Sequence, residues 1–366
     1  MKTKKKVLVG MSGGVDSSVA ATILLDRGYD VYGATLRLWD APDTCNPHTR
    51  TCCSLEDVED ARATAFKLGI PFYVLNMKEQ FKELVVDYFV DSYLEGETPN
   101  PCIACNKHMK FSGMLIKALS LEMDYIATGH YARVAYDSKL GRYVLKKAVD
   151  LSKDQSYVLY MLNQYQLEHL ILPLGDYKKT EVRKIAEEKG LVNARKPDSQ
   201  DICFVDTGNY VDFIKKYRNI EIPEGTYIDK EGNIIGKNKG MIHYTIGQRK
   251  GLGMSFPERK YVIDKDSKTN TVTLGSRQDA LVSSLIAREM NYILYERPEK
   301  EIKVHAKIRY SQKEVPAKVI PMDDSKAEIV FETPQPFVAP GQSVVLYLDD
   351  MVVGGGIITK TELMKN

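Results

Sequence analysis

The stretch KVLVGMSGGVDSSVAATILLDRG, residues 6–28, decides the fold. It opens on a short apolar run, Lys6 to Met11, as in a strand buried in a parallel sheet. It continues with Val19, Ala20, Ile23 and Leu24 at helical spacing and ends in Gly28, a helix C-cap signal. Between the two lies Ser12-Gly13-Gly14-Val15-Asp16-Ser17-Ser18. Its glycines allow a tight turn and close approach of a ligand. The helix start aims unpaired N–H groups at an anion. Ser12, Ser17 and Ser18 add hydroxyl donors, and Asp16 suits a phosphate site if it helps hold Mg²⁺. No Gly-Lys-Ser/Thr is present, so this is not the P-loop of the common NTPases. A plain glycine turn between strand and helix is the simpler reading, and the full context outweighs it.

Outward from this unit the alternation persists. Val31–Leu38, Phe72–Leu75 and Tyr125–Thr128 read as strands. Leu55–Leu68 (with Ser54 as N-cap), Phe81–Leu94, Lys110–Leu121 and Thr180–Lys189 read as helices. The order predicts an α/β doubly wound parallel sheet. Beyond Asp206 short strands dominate: Thr226–Ile228, Ile234–Ile235, Tyr261–Ile263 and Thr271–Leu274. From Lys303 the alternation in KVHAKIRY, VPAKVI, AEIVFE and SVVLYL predicts an all-β barrel or sandwich. The expected domains are residues 1–207, a nucleotide-binding catalytic domain; 208–278, a small central domain; and 279–366, a C-terminal β-barrel.

The chain has 366 residues, with 43% hydrophobic and 27% charged, an ordinary soluble composition. No apolar run approaches the roughly 20 residues needed to span a bilayer, and no signal or transit peptide is read at the start. A cytoplasmic protein without membrane partners is expected. The net charge of +2 is uneven: residues 208–278 carry 13 Lys and Arg against 8 Asp and Glu. That excess is where phosphate-backbone contacts are sought, with Tyr244, Arg249 and Lys250 as an aromatic-plus-cation group. A solvated surface turn is the alternative.

Six cysteines fall in three places: Cys45, Cys52 and Cys53; Cys102 and Cys105; and Cys203. In a reducing compartment, metal or redox chemistry is the better reading than structural disulfides. Cys102 and Cys105 stand three apart before a helix expected from Lys110, with Lys107 and Lys110 placed to favour thiolate. Cys45, His48, Cys52 and Cys53 could suit Zn²⁺, but their spacing fits no standard site, so they are read as loop thiols.

The loop SGGVDSS resembles the pyrophosphate loop of the ATP-pyrophosphatase (PP-loop) superfamily, whose members adenylate a carbonyl oxygen and release pyrophosphate. GMSGGVDSSVA, TPNPCIACNKHMKF, YIATGHYAR, KDQSYVLY, DSQDICF, YTIGQRKGLG, PGQSVVLY and GGGII together resemble the tRNA-specific 2-thiouridylase family, in the family's order and nearly end to end. The resemblance implies ATP-dependent 2-thiolation of the wobble uridine of tRNA, with ATP and Mg²⁺ required and tRNA and a sulfur donor, such as a cysteine desulfurase or relay protein, as partners.

Residue by residue, it implies Cys105 as nucleophile and Cys203 as persulfide carrier. Asn100, Pro101 and Cys102 would approach the target base. Gly10, Met11, Ser12, Gly13, Gly14, Val15, Asp16, Ser17, Leu36 and Gly129 would bind the nucleotide. His130, Lys153, Asp154, Gln155, Arg309, Tyr310 and Gln342 would contact tRNA. Many members carry Asp where Cys102 stands. With Cys there, Cys102, Cys105 and Cys203 could ligate three irons of a [4Fe–4S] cluster and leave the fourth for sulfide. The third soft ligand favours that route over a persulfide relay. Two other classes stay open: a PP-loop enzyme acting on a small molecule, and a non-catalytic RNA-binding protein.

Overall fold

The apolar run Lys6–Gly10 forms β1 in the computed structural model, which describes residues 4–39, 55–197, 202–205, 209–323 and 325–363. β1 pairs in parallel with β2 (Asp30–Arg37), which pairs with β3 (Phe72–Asn76). On its other side it pairs with β4 (Tyr125–Ala127). A hairpin of β5 (Ala132–Asp137) and β6 (Arg142–Lys147) precedes β7 (Leu170–Ile171), which adds to β4. The sheet order is β3-β2-β1-β4-β7. The expected parallel sheet is therefore present. Its fifth strand, two residues long, and the hairpin carry too little pattern to have been read from sequence.

Helix α1 (Val15–Asp26) is buried on two sides, which explains why its apolar residues Val15, Val19, Ala20, Ala21, Ile23 and Leu24 are not confined to one stripe. Ala21 and Leu24 pack with Val7, Val9 and Val31 of the sheet. Val15, Val19 and Ile23 pack against Leu174, Val182 and Leu191. Helix α2 (Leu55–Leu68) covers the same sheet through Ala61 and Ala65.

The chain divides into two units. One comprises residues 1–86, 101–208 and 349–352; the other comprises 87–100, 209–348 and 353–366. In the second, β8 (Gly225–Ile228), β9 (Ile234–Asn238), β10 (Tyr261–Asp266) and β11 (Thr271–Gly275) form a sheet in the order β10-β11-β8-β9. Six further strands follow: β12 (Leu281–Tyr292), β13 (Ile302–Lys307), β14 (Val315–Pro321), β15 (Ala327–Pro336), β16 (Ser343–Leu348) and β17 (Met351–Leu363). They run β12-β15-β14-β13-β16-β17, and β12 pairs with β17 to close the barrel. Closure removes the exposed edges that an open sheet would leave.

One expectation is corrected. The helix carrying the paired thiols begins at Pro101, not near Lys110. Proline is favoured at a first helical position, where its missing N–H costs nothing. Helical backbone then runs through a π-helical stretch, Asn106–Gly113, into Met114–Ser120.

Candidate active site

β1 delivers the loop Met11–Gly14 to the carboxyl end of the sheet, where the strand order runs outward in both directions. Met11 is fixed by its N–H donating to Ala34 O at 2.8 Å and its carbonyl accepting from Thr35 Oγ1 at 2.6 Å. Gly13 has φ +72°, and a Cβ there would meet the Asp57 carbonyl oxygen at 2.4 Å, so both conformation and space demand glycine. Gly14 is the N-cap of α1 and supplies no side chain to cap it. The first N–H groups of α1 thus have no capping side chain, an arrangement that suits phosphate.

The serines behave differently from expectation. Ser17 Oγ and Ser18 Oγ each donate to Gly14 O at 3.1 Å, and Ser12 N–H donates to Ser17 Oγ at 3.2 Å. Ser18 is fully buried. These two hydroxyls brace the loop from within rather than facing outward as ligand donors.

Asp16 is also engaged. Its carboxylate accepts from Lys179 Nζ at 2.8 Å on both oxygens and from the Tyr131 hydroxyl at 2.8 Å. Lys179, a buried lysine, opens the helix Lys179–Glu188 and was not singled out in the sequence. Its partner lies 163 positions away in the chain, so no local sequence signal pointed to it.

Leu36, half-buried near the end of β2, and Gly129, after β4, flank the loop on the two strands beside β1. A Cβ on Gly129 would lie 2.8 Å from both Asp16 C and Ser17 N, so α1 starts directly against it. His130 bonds through Nδ1 to Thr128 Oγ1 at 2.7 Å and packs on Phe111 at 5.5 Å. Desolvation, with the charge of Lys110 adding to it, holds its imidazole well below the ordinary pKa.

Cys102 is exposed and Cys105 buried on their shared helical run, and Cys203 is half-buried. That run packs where β1 meets the loop: Met114 Sδ lies 3.3 Å from where a Cβ on Gly10, the last residue of β1, would be. Asn106 Nδ2 donates to Val158 O at 3.0 Å, and Gln166 Nε2 donates to Phe111 O at 3.1 Å, fixing the π-helical stretch. π-bulges of this kind recur at functional sites. Cys203 is anchored by its neighbour Phe204, buried against Phe81 at 5.7 Å and Trp39 at 6.3 Å. Among the described residues, no three of His, Cys, Asp and Glu form a metal-holding group. The gathering of Cys102, Cys105 and Cys203 that an iron–sulfur cluster needs is therefore not present here. Cys45, His48, Cys52 and Cys53 lie outside the described residues.

The other expected contacts vary in how they stand. Gln155 Oε1 accepts from Tyr131 N–H at 2.9 Å, and Asp154 Oδ1 accepts from Ala148 N–H at 3.0 Å, while Lys153 is half-buried. These two side chains hold backbone around Tyr131. In the second unit, Gln342 Nε2 donates to Thr98 O at 2.6 Å, two residues before Asn100. Arg309 Nη2 donates to Ile246 O and Phe337 O at 2.8 and 2.7 Å, and Tyr310 is 44% exposed. Arg249 and Lys250 are exposed, but Tyr244 is buried against Tyr227, with ring centroids 5.4 Å apart. Tyr244 is core and cannot stack on a base, which corrects that expectation. Pro101 is buried at the helix start.

Comparison with known proteins covers nearly the whole length. The tRNA methyl transferase HUP domain matches residues 5–207, the tRNA methyl transferase PRC-barrel domain 211–276, and the aminomethyltransferase beta-barrel domain 282–358. A tRNA-specific 2-thiouridylase MnmA of Acetivibrio thermocellus is 53% identical over 360 residues, 97% of this chain and 99% of that protein. Another, of Clostridioides difficile, is 53% identical over 361 residues, 99% of this chain and 100% of that protein.

Proposed function

The chain belongs to the tRNA-specific 2-thiouridylase family, and from that premise we propose how its own residues perform the ATP-dependent 2-thiolation of tRNA. The methyl transferase wording of two matched domains does not redirect this reading, because the relatives that span the chain are thiouridylases.

ATP enters as substrate. Its phosphates take the uncapped N–H groups at the start of α1, and its base lies by Leu36 and Gly129. A Mg²⁺ ion on the phosphates needs one or two protein carboxylates. Asp16 is the candidate in the loop, and to serve it must release Lys179, which then pairs with a phosphate oxygen. The wobble uridine leaves the anticodon stack so that its O2 can attack the α-phosphate and expel pyrophosphate.

Sulfur follows through two thiols. A donor such as a cysteine desulfurase or a relay protein loads Cys203 as a persulfide. The Cys105 thiolate attacks Cys203 Sγ, and the persulfide S–S bond breaks with its electron pair leaving on hydrosulfide. Hydrosulfide attacks C2, the C2–O bond breaks, and AMP leaves with that pair. Cys105 and Cys203 end as a disulfide, which an external thiol reduces with two electrons. Asn100, Pro101 and Cys102 line the approach of the base. His130, Lys153 and Tyr310, with Arg249 and Lys250, bear on the tRNA.

The observation that carries this reading is that one helical run bears Cys105 and also seats Met114 on Gly10, the last residue of β1 before the nucleotide loop. Activation and sulfur transfer are thereby neighbours in one unit. The relay is preferred to the [4Fe–4S] route because it asks two thiols to meet, not three to converge. ATP–pyrophosphate exchange measured with and without tRNA is the test. Exchange that requires tRNA supports the assignment. Exchange without RNA supports a small-molecule PP-loop enzyme, and no exchange supports a non-catalytic RNA binder.

A further inference from the structure

Residues 191–196 form a turn that is tied to the nucleotide loop twice over. Asn193 is buried, and its Nδ2 donates to Gly13 O at 3.0 Å and to Ser18 Oγ at 2.7 Å. Three residues on, Lys196 Nζ lies 2.6 Å from Asp57 Oδ1 and 2.6 Å from Asp60 Oδ2, both on the first turns of α2. Asp57 is the residue whose backbone leaves no room for a side chain at Gly13. Asn193 therefore grips the loop directly, and Lys196 grips it through Asp57. Two further ties hold the turn itself: Arg183 Nη1 donates to Ala194 O at 3.2 Å, and Leu191 is buried beside Val15 and Val19. The chain leaving this turn reaches Cys203 seven residues after Lys196.

Nothing in nucleotide binding or sulfur chemistry as described so far uses Asn193 or Lys196. A lysine bridging two carboxylates at 26% side-chain exposure is more than a solvated surface pair. It fixes where the segment carrying Cys203 begins. Fixing a reacting group close to its partner is a large source of rate, and a displacement of about 1 Å can cost roughly 100-fold. The direct grip of Asn193 on Gly13 means that any change in the loop on filling is felt by the same turn.

We propose that Asn193 and Lys196 are positioning residues that fasten the stem of the Cys203 segment to the nucleotide loop, so that sulfur delivery is registered to the filled loop. This rests on the reading of Cys203 as sulfur carrier.

The test uses the full-length enzyme and an unmodified tRNA transcript, with two readouts: tRNA-dependent pyrophosphate release, and single-turnover transfer of ³⁵S from persulfide-loaded protein. Lys196→Met should lower transfer on the order of 100-fold, far more than it lowers pyrophosphate release. Lys196→Arg should recover most of the transfer, and Asp60→Asn should show the same split more weakly. Addition of AMPPNP should change the rate at which iodoacetamide alkylates Cys203, followed by peptide mass spectrometry, and Asn193→Ala should abolish that response. Transfer at the wild-type rate in Lys196→Met, equal loss of both readouts, or a wild-type alkylation rate indifferent to AMPPNP would overturn the proposal. Cys203→Ser is the control. If it still transfers sulfur, the carrier reading itself fails and this inference with it. If it is silent while Lys196→Met transfers fully, only the inference fails.

Discussion

The ammonium of Lys179 lies 2.8 Å from both carboxylate oxygens of Asp16, under the hydroxyl of Tyr131, which donates to the same carboxylate. Gln155 in turn accepts from the Tyr131 N–H, so a residue expected at the tRNA surface steadies the nucleotide loop. Lys179 is thus a cation held against the first turn of α1, beside the loop proposed to take phosphate. Lys179→Met should lower tRNA-dependent pyrophosphate release about 100-fold or more, the usual effect of removing one electrostatic contact. It should destabilise the fold by about 1–2 kcal/mol, less than a fully buried pair because Asp16 keeps some contact with water. Lys179→Arg, which keeps the charge, should lose far less activity.

Asp16→Ala separates the roles of the pair. It removes the candidate Mg²⁺ ligand and frees the lysine, so adenylation should be abolished while the fold persists. Near-normal AMP release from this variant, measured with tRNA present, would show that the loop has been assigned wrongly.

His130 gives a pH-dependent prediction. Desolvation and Lys110 depress its pKa, so the folded protein holds it neutral where the unfolded chain would protonate it. The unfolded chain binds more protons below about 6.5, and stability from this site is therefore full above that pH and lost as pH falls below it. His130→Asn should show a flatter fall in melting temperature between pH 7 and pH 5. Parallel curves for the two proteins would contradict the assignment.

Binding to tRNA should weaken steeply with salt through counterion release. Arg249 and Lys250 are exposed on a loop that also holds Arg259 and Lys260. Replacing Arg249 and Lys250 with Ala should reduce the slope of log K against log salt by about 2 if each meets one phosphate. An unchanged slope would move the RNA surface elsewhere.

Much of this fold was legible because residues 6–28 combine a buried strand, a glycine turn and a helix with apolar residues at helical spacing in one continuous signal. The strands of the second unit were legible where alternation was clean, as in β13 to β16. β12 and β17 were missed because register shifts and glycines interrupt their alternation. The early start of the thiol helix was hidden because Asn100-Pro101 reads as a turn, although Pro101 opens the helix. In the site, the loop glycines could be read directly, since their need is local. Lys179, Asn193 and Lys196 could not, because their meaning lies in partners 163, 180 and 139 positions away. Tyr244 was misread because its burial depends on Tyr227, which sequence does not place beside it.

The central claim is that Cys105 releases the sulfur carried on Cys203 and is left disulfide-bonded to it, and single-turnover trapping tests it most directly. Protein carrying a persulfide on Cys203 is mixed with ATP and tRNA without reductant, quenched with an alkylating agent and mapped by mass spectrometry. The account predicts one Cys105–Cys203 disulfide for each 2-thiouridine formed, in iron-free protein and equally in Cys102→Asp. Cys105→Ser and Cys203→Ser should give neither product. Thiolation without that disulfide, in protein whose activity tracks an iron content of about four per chain, would contradict the account.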